Sequence, residues 1–136
     1  MASSVNRSET IPVRAEADIV AVRQLTRLWS LECKFSLVDQ TKMVTAASEL
    51  ARNTLIYGGG GQVRLDLLTD GARRGLRMSF EDQGQGIPDI EQALKDGFTS
   101  GSGLGLGLGG ARRLVNEFDI QSAPGKGTTV VITRWK

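Results

Sequence analysis

Glycine placement restricts this chain more than any other feature. Ten of its 17 glycines fall in two runs, Gly58 to Gly61 and Gly101 to Gly110, and the second run has six glycines in ten residues. Consecutive glycines resist helix and supply left-handed conformations. The first run therefore predicts the abrupt end of a helix. The second is too glycine-rich for helix or strand and predicts a flexible loop, feeding an amphipathic helical segment over Ala111 to Phe118.

Elsewhere the pattern alternates between helical and extended periods. A short strand is expected at Glu9 to Arg14, then a helix over Ala17 to Leu31 with Ile19, Val22, Leu25, Leu28 and Trp29 at helical spacing. A second helix is expected over Leu37 to Tyr57, capped by Asp39 and ended by the first glycine run. Val63 to Thr69 and Gly75 to Glu81 alternate around the turn signal Asp70-Gly71, which reads as a β-hairpin. A glycine-rich turn at Asp82 to Gly86 leads into a short helix over Asp89 to Lys95. Strands at Asp119 to Ser122 and Thr128 to Thr133, joined by a turn at Pro124 to Gly127, close the chain.

Composition removes several classes of function. At 136 residues, 40% hydrophobic and 24% charged, the chain reads as one globular domain spanning 1–136. Its apolar runs are too short and interrupted to cross a bilayer. The polar segment Met1 to Glu9 lacks an apolar signal core, so a cytoplasmic location is expected. The single cysteine, Cys33, cannot form an internal disulfide and reads as a buried small side chain. A net charge of +2 without a dense basic stripe does not call for nucleic acid. Histidine is absent, which excludes Ser-His-Asp catalysis, the common zinc-hydrolase sites and a phosphohistidine relay on this chain. Any chemistry must use carboxylates, amides, hydroxyls and backbone.

Three segments carry such chemistry. Glu49 and Asn53 are four residues apart and share a helix face. At 100° per residue, Met43, Ala47, Leu50, Ala51 and Thr54 gather on the core side and leave the pair accessible. An amide oxygen suits a magnesium ion that keeps waters and phosphate oxygens, and a carboxylate can take a proton from a hydroxyl. Asp82-Gln83-Gly84-Gln85-Gly86 ends a predicted strand, where a carboxylate accepts from an exocyclic amine and glycine admits a flat ring. Taken alone, these two have plainer readings, a solvated i,i+4 pair and an ordinary turn. Gly101 to Gly110 precedes a helix, and free backbone N–H groups at a helix N-terminus form an anion site suited to phosphate. The regularly spaced Leu104, Leu106 and Leu108 are more than a flexible linker needs.

Two better-known glycine motifs fail on context. Gly105 to Gly110 fits G-x-G-x-x-G, but no strand precedes it and no acidic residue lies about 20 residues on. Around Lys126 the Walker spacing fails, because Gly127 follows the lysine and position 120 is isoleucine.

In their order the segments resemble the three boxes of the GHKL (Bergerat-fold) superfamily of gyrase, Hsp90, histidine kinases and MutL: Glu49-x-x-x-Asn53, Asp82-x-Gly84-x-Gly86 and Gly103-x-Gly105-x-Gly107-Leu108. The whole chain resembles the short anti-sigma regulatory switch kinases of the general stress response. Ser48 to Asn53, Asp82 to Pro88, Gly107 to Leu114 and Gly127 to Thr129 carry that likeness. One departure is glycine in Gly107-Leu-Gly-Gly110 where relatives often carry proline.

The resemblance implies an α/β two-layer sandwich with a mixed, mainly antiparallel sheet and helices on one face. ATP and Mg²⁺ would be its ligands. Asn53 would hold the metal, Glu49 would act as general base, Asp82 would bind the adenine amine and Thr128 would support it through water. Gly84 and Gly86 would admit the ring, and Gly103, Leu104, Gly105, Leu106, Gly107 and Leu108 would form the phosphate loop. It implies a serine/threonine kinase acting on a STAS-domain protein in a partner-switching pathway, with a PP2C-type phosphatase as a second partner. An anti-sigma kinase that binds sigma directly, a nucleotide-gated binding module and an ATPase are the alternatives.

Overall fold

The computed structural model describes residues 3–95 and 107–136. Strand β1 (Ser4–Val13) is followed by helices α1 (Glu16–Glu32) and α2 (Leu37–Ile56), then by the hairpin β2 (Gly61–Asp70) and β3 (Arg73–Asp82). Two short helices, α3 (Ile90–Ala93) and α4 (Gly107–Arg113), precede β4 (Glu117–Ser122) and β5 (Thr128–Trp135).

The five strands form one sheet in the order β1-β2-β3-β5-β4, and all four neighbouring pairs are antiparallel. Asp70 pairs with Arg73, so the hairpin loop is Gly71-Ala72, with glycine at φ +61° in the first central position, where a type II′ turn needs it. Period-2 alternation puts Leu76, Met78 and Phe80 of β3, together with Val130 and Ile132 of β5, on one face. The helices cover that face. Ile19, Val22 and Trp29 of α1 and Met43, Ala47, Leu50 and Ala51 of α2 complete the core. This is the helix-backed sandwich that the resemblance implied.

The opposite face is more polar and holds one buried charge. Asp66 is 1% exposed and accepts from Ser8 Oγ at 2.6 Å and from Arg77 Nε at 3.0 Å. With these partners its carboxylate meets the condition under which a charge is tolerated away from water.

The structure departs from the sequence expectation at the start of α2 and at α4. Asp39 does not cap α2. Ser36 is the N-cap and its hydroxyl accepts from the Asp39 N–H at 3.1 Å, leaving the Asp39 carboxylate to bind Arg134 Nη2 at 2.6 Å. The amphipathic segment expected over Ala111 to Phe118 is displaced toward the N-terminus: the helix occupies Gly107–Arg113, and Glu117 already belongs to β4. Gly109 and Gly110 are thus helical despite their low propensity. Packing outweighs it, because Leu108 and Ala111 are buried and a Cβ on Gly109 would lie 2.2 Å from the Leu94 carbonyl oxygen. Only glycine allows α4 so close to the chain after α3.

Candidate functional site

The end of α2 supplies the first part of the site. Glu49 and Asn53 lie off the buried stripe and are half-buried, as their spacing requires. The helix stops one turn beyond Asn53, whose carbonyl accepts from Tyr57 N at 2.9 Å and Gly58 N at 3.1 Å. Gly59 and Gly60 then take left-handed φ values of +72° and +101° and turn the chain into β2. The Glu49 side chain reaches toward α4: its Oε1 accepts from the Gly107 N–H in a long contact of 3.4 Å. Gly107 itself is left-handed, at φ +72°.

The C-terminal end of β3 supplies the second part. Asp82 Oδ1 accepts from the Gly84 N–H at 2.9 Å, folding the turn back on its own carboxylate. Backbone approaches here are too close for side chains. A Cβ on Gly58 would stand 2.4 Å from Asp82 Cγ, and one on Gly84 would stand 2.8 Å from Gly58 Cα. At Gly86 a Cβ would lie 2.0 Å from the Ala123 carbonyl oxygen, and at Gly127 it would lie 2.2 Å from that of Asp82. The Gly125 N–H donates to the Gln85 carbonyl at 2.7 Å. The turn after β3 and the turn before β5 are thus locked backbone to backbone.

Sheet register brings in the third part. Thr128 is paired with Asp82 on one side and with Ser122 on the other, so the three lie in one row across β3, β5 and β4. Paired residues share a face, and the row continues the core-facing positions beyond Phe80, Val130 and Ile120. Ser122 Oγ accepts from the Ile87 N–H at 2.8 Å, donates to the Gly127 carbonyl at 2.9 Å and lies 2.8 Å from Thr128 Oγ1.

Glu49, Asn53, Asp82, Gly84, Gly86, Gly107 and Thr128 therefore sit on elements that meet at one edge of the helix layer. Leu108 is 7% exposed and packs in the core cluster. Gly103, Leu104, Gly105 and Leu106 lie outside the described residues. Sequence reasoning gave Gly58 only a helix-ending role and gave Ser122 none. Gly58 had a signal in its run of four, but its contact with Asp82 depends on the fold. The importance of Ser122 arises from cross-strand register, which no local pattern encodes.

A carboxylate that ends a strand, glycines that only close backbone approach explains, and a helix pair facing them define a nucleotide-binding α/β domain. The profile described as histidine kinase-, DNA gyrase B-, and HSP90-like ATPase matches residues 38–136, and the chain belongs to that family. It is 44% identical over 131 residues to the serine/threonine-protein kinase RsbT of Bacillus subtilis, covering 96% of this chain and 98% of that one. Within the family it stands with these serine/threonine-protein kinases. It is also 31% identical over 96 residues to an anti-sigma F factor of Thermoanaerobacter sp. (strain X514), covering 67% of this chain and 66% of that one.

Two solved structures share the fold. The RsbU and RsbW domains of a Mycobacterium tuberculosis protein superpose with a TM-score of 0.66 at 24% identity, over 95% of this chain and 32% of that one. The SiaB-SiaC complex of Pseudomonas aeruginosa gives 0.55 at 9% identity, over 97% and 91%.

Proposed function

We propose that this chain, as one domain over 1–136, transfers the γ-phosphoryl group of ATP to a serine or threonine of a STAS-domain protein, and so switches that protein between partners. The observation that carries the reading is the Glu49 to Gly107 contact at 3.4 Å. It puts the carboxylate of α2 beside the backbone amides that begin α4, where a phosphate and an incoming hydroxyl would meet. The site also fits the nucleotide at its other end. Asp82 Oδ1 is held by Gly84, and Oδ2 has no hydrogen-bond partner among the described residues, so it is available to an adenine amine.

In this reading Glu49 takes the proton of the partner's hydroxyl as its oxygen attacks the γ-phosphorus. The bond to the β-phosphate breaks, and ADP, a phosphoserine or phosphothreonine and a proton result. Asn53 would hold Mg²⁺, which supplies charge neutralisation when bound. Gly107, with Gly103, Gly105 and the leucines Leu104 and Leu106, would wrap the phosphates. Thr128 would support Asp82 through water, while Gly84 and Gly86 admit the ring. A PP2C-type phosphatase would be the second partner, and the cytoplasm the place of action. Among the described residues no helix is long and apolar enough to cross a membrane.

Glu49→Ala tests this reading with radiolabelled ATP and the STAS-domain proteins of the same genome. General base catalysis contributes on the order of 10²- to 10⁴-fold. The variant should bind ATP and its partner normally but transfer phosphate slower by that factor. Transfer at the wild-type rate would remove Glu49 from the chemistry. The 31% likeness to anti-sigma F factors favours a second reading, direct binding of a sigma subunit, which co-purification of sigma with the chain would support.

A further inference from the structure

Ser122 Oγ has three polar neighbours but only one proton. Its contacts are the Ile87 N–H at 2.8 Å, the Gly127 carbonyl at 2.9 Å and Thr128 Oγ1 at 2.8 Å. A serine hydroxyl offers one donor and two lone pairs. The Ile87 amide can only donate and takes one lone pair. The Gly127 carbonyl can only accept, so the Ser122 proton points at it. The remaining lone pair faces Thr128, and that contact closes only if Thr128 donates. If Ser122 donated to Thr128 instead, a hydroxyl lone pair would face the Gly127 carbonyl oxygen at 2.9 Å, with both oxygens acceptors and no proton between them.

We propose that Ser122, by committing the Thr128 proton to itself, makes the wall of the base pocket acceptor-only and thereby sets a preference for adenine over guanine. This rests on the reading of Asp82 and Thr128 as the base-binding end of the site. Thr128 is then left with lone pairs alone, and its register partner Asp82 likewise offers only acceptors. Two acceptors side by side match the exocyclic amine of adenine, reached directly or through a water. The carbonyl that guanine carries at that position would meet lone pairs on both. An unrestrained threonine hydroxyl would rotate and serve either base, so the selectivity lies in the restraint. Ser122 is a positioning residue: it touches no base and acts through Thr128.

The test is calorimetric measurement of the Kd for Mg-ATP and Mg-GTP with the wild-type chain, Ser122→Ala, Ser122→Thr and Thr128→Ala. A site built to pair with a substrate N–H discriminates strongly against an analogue that lacks it, so wild type should prefer ATP by roughly 10²-fold or more. Ser122→Ala should reduce the ATP-to-GTP ratio by about tenfold, the scale of one hydrogen bond. Ser122→Thr keeps the hydroxyl and should restore the ratio. Thr128→Ala should lower the ratio as Ser122→Ala does, which keeps the idea testable should Ser122→Ala fail to fold. Equal weakening of both nucleotides by Ser122→Ala, or a wild-type ratio in Thr128→Ala, overturns the proposal while leaving the nucleotide site intact. A wild type that binds neither nucleotide overturns the site reading and this assignment with it.

Discussion

Gly58 shows how little space one residue of this site has. Its backbone φ is not left-handed, so alanine is allowed there conformationally, yet the new methyl would lie 2.4 Å from Asp82 Cγ and 2.5 Å from Oδ2. Asp82 must then swing away, and its bond to the Gly84 N–H is lost. Gly58→Ala should raise the Kd for ATP by roughly 10- to 100-fold while lowering stability by only about 1–3 kcal/mol, the range for local overpacking. Calorimetry beside thermal denaturation separates the two, and an unchanged Kd would mean that Asp82 does not bind the base. Cys33 makes a prediction about pH. Burial, opposed by Arg74 and reinforced by Glu32, pushes its thiol up from 9.0 to about 11. A group whose folded pKa is raised favours folding in its protonated form. The stability it contributes is complete below pH 9 and is lost as pH rises toward 11. Denaturation midpoints should fall across that interval in the wild type and fall less in Cys33→Ser.

At the scale of elements, the ion pairs differ in what they hold together. Arg134 Nη2 binds Asp39 at 2.6 Å and Nη1 donates to the Leu114 carbonyl at 2.8 Å, with the Arg134 side chain 13% exposed. One guanidinium thus joins the end of β5 to the first turn of α2 and to the segment after α4. Arg52 and Glu16 stand 3.8 Å apart with 44% and 73% of their side chains exposed. Solvent screens that pair to about 0–1 kcal/mol. Arg134→Ala should lower stability by about 2–3 kcal/mol in urea denaturation, and Arg52→Ala by no more than about 0.5 kcal/mol. Equal effects would mean that burial does not separate the two.

The elements were also unevenly legible in the sequence. α1, α2 and the hairpin stand within a few residues of where periodicity puts them, because each buries a face whose spacing is local information. α4 was misplaced because its glycines carry no helical signal, and the reason they are tolerated, the approach of Gly109 to Leu94, exists only after folding. Asp39 has the residue type of a cap, but the Ser36 hydroxyl holds the cap position and Arg134, 95 residues distant, holds the Asp39 carboxylate. In the candidate site, Glu49 and Asp82, whose own side chains carry the proposed roles, are visible from residue type and spacing. Those that act by holding others, Gly58 and Ser122, are not.

For the whole molecule, the distribution of the site along the chain couples nucleotide binding to folding. Glu49 and Asn53 come from α2, Asp82 to Gly86 from the turn after β3, and Ser122 to Thr128 from the junction of β4 and β5. Sheet register and the close approaches among Gly58, Gly84, Asp82 and Gly127 help bring them together. The unfolded chain has no such arrangement, so nucleotide binds the native state alone and stabilises it by RT ln(1 + [L]/Kd). At 100 times Kd this is about 2.7 kcal/mol, which for a chain of this size raises Tm by roughly 8–14 °C. ATP with magnesium should produce that shift, and ATP with EDTA a smaller one. Asn53→Ala should melt like the wild type without ligand, because Asn53 lies off the core stripe and alanine is the better helix former. Its shift with Mg-ATP should fall to the value seen with EDTA, and adding magnesium should no longer change it. Asp82→Asn should lose most of the shift under both conditions, since it removes base recognition rather than the metal. Melting curves with and without magnesium distinguish the two ends of the site in one experiment, and a full magnesium-dependent shift in Asn53→Ala would place the metal on other residues.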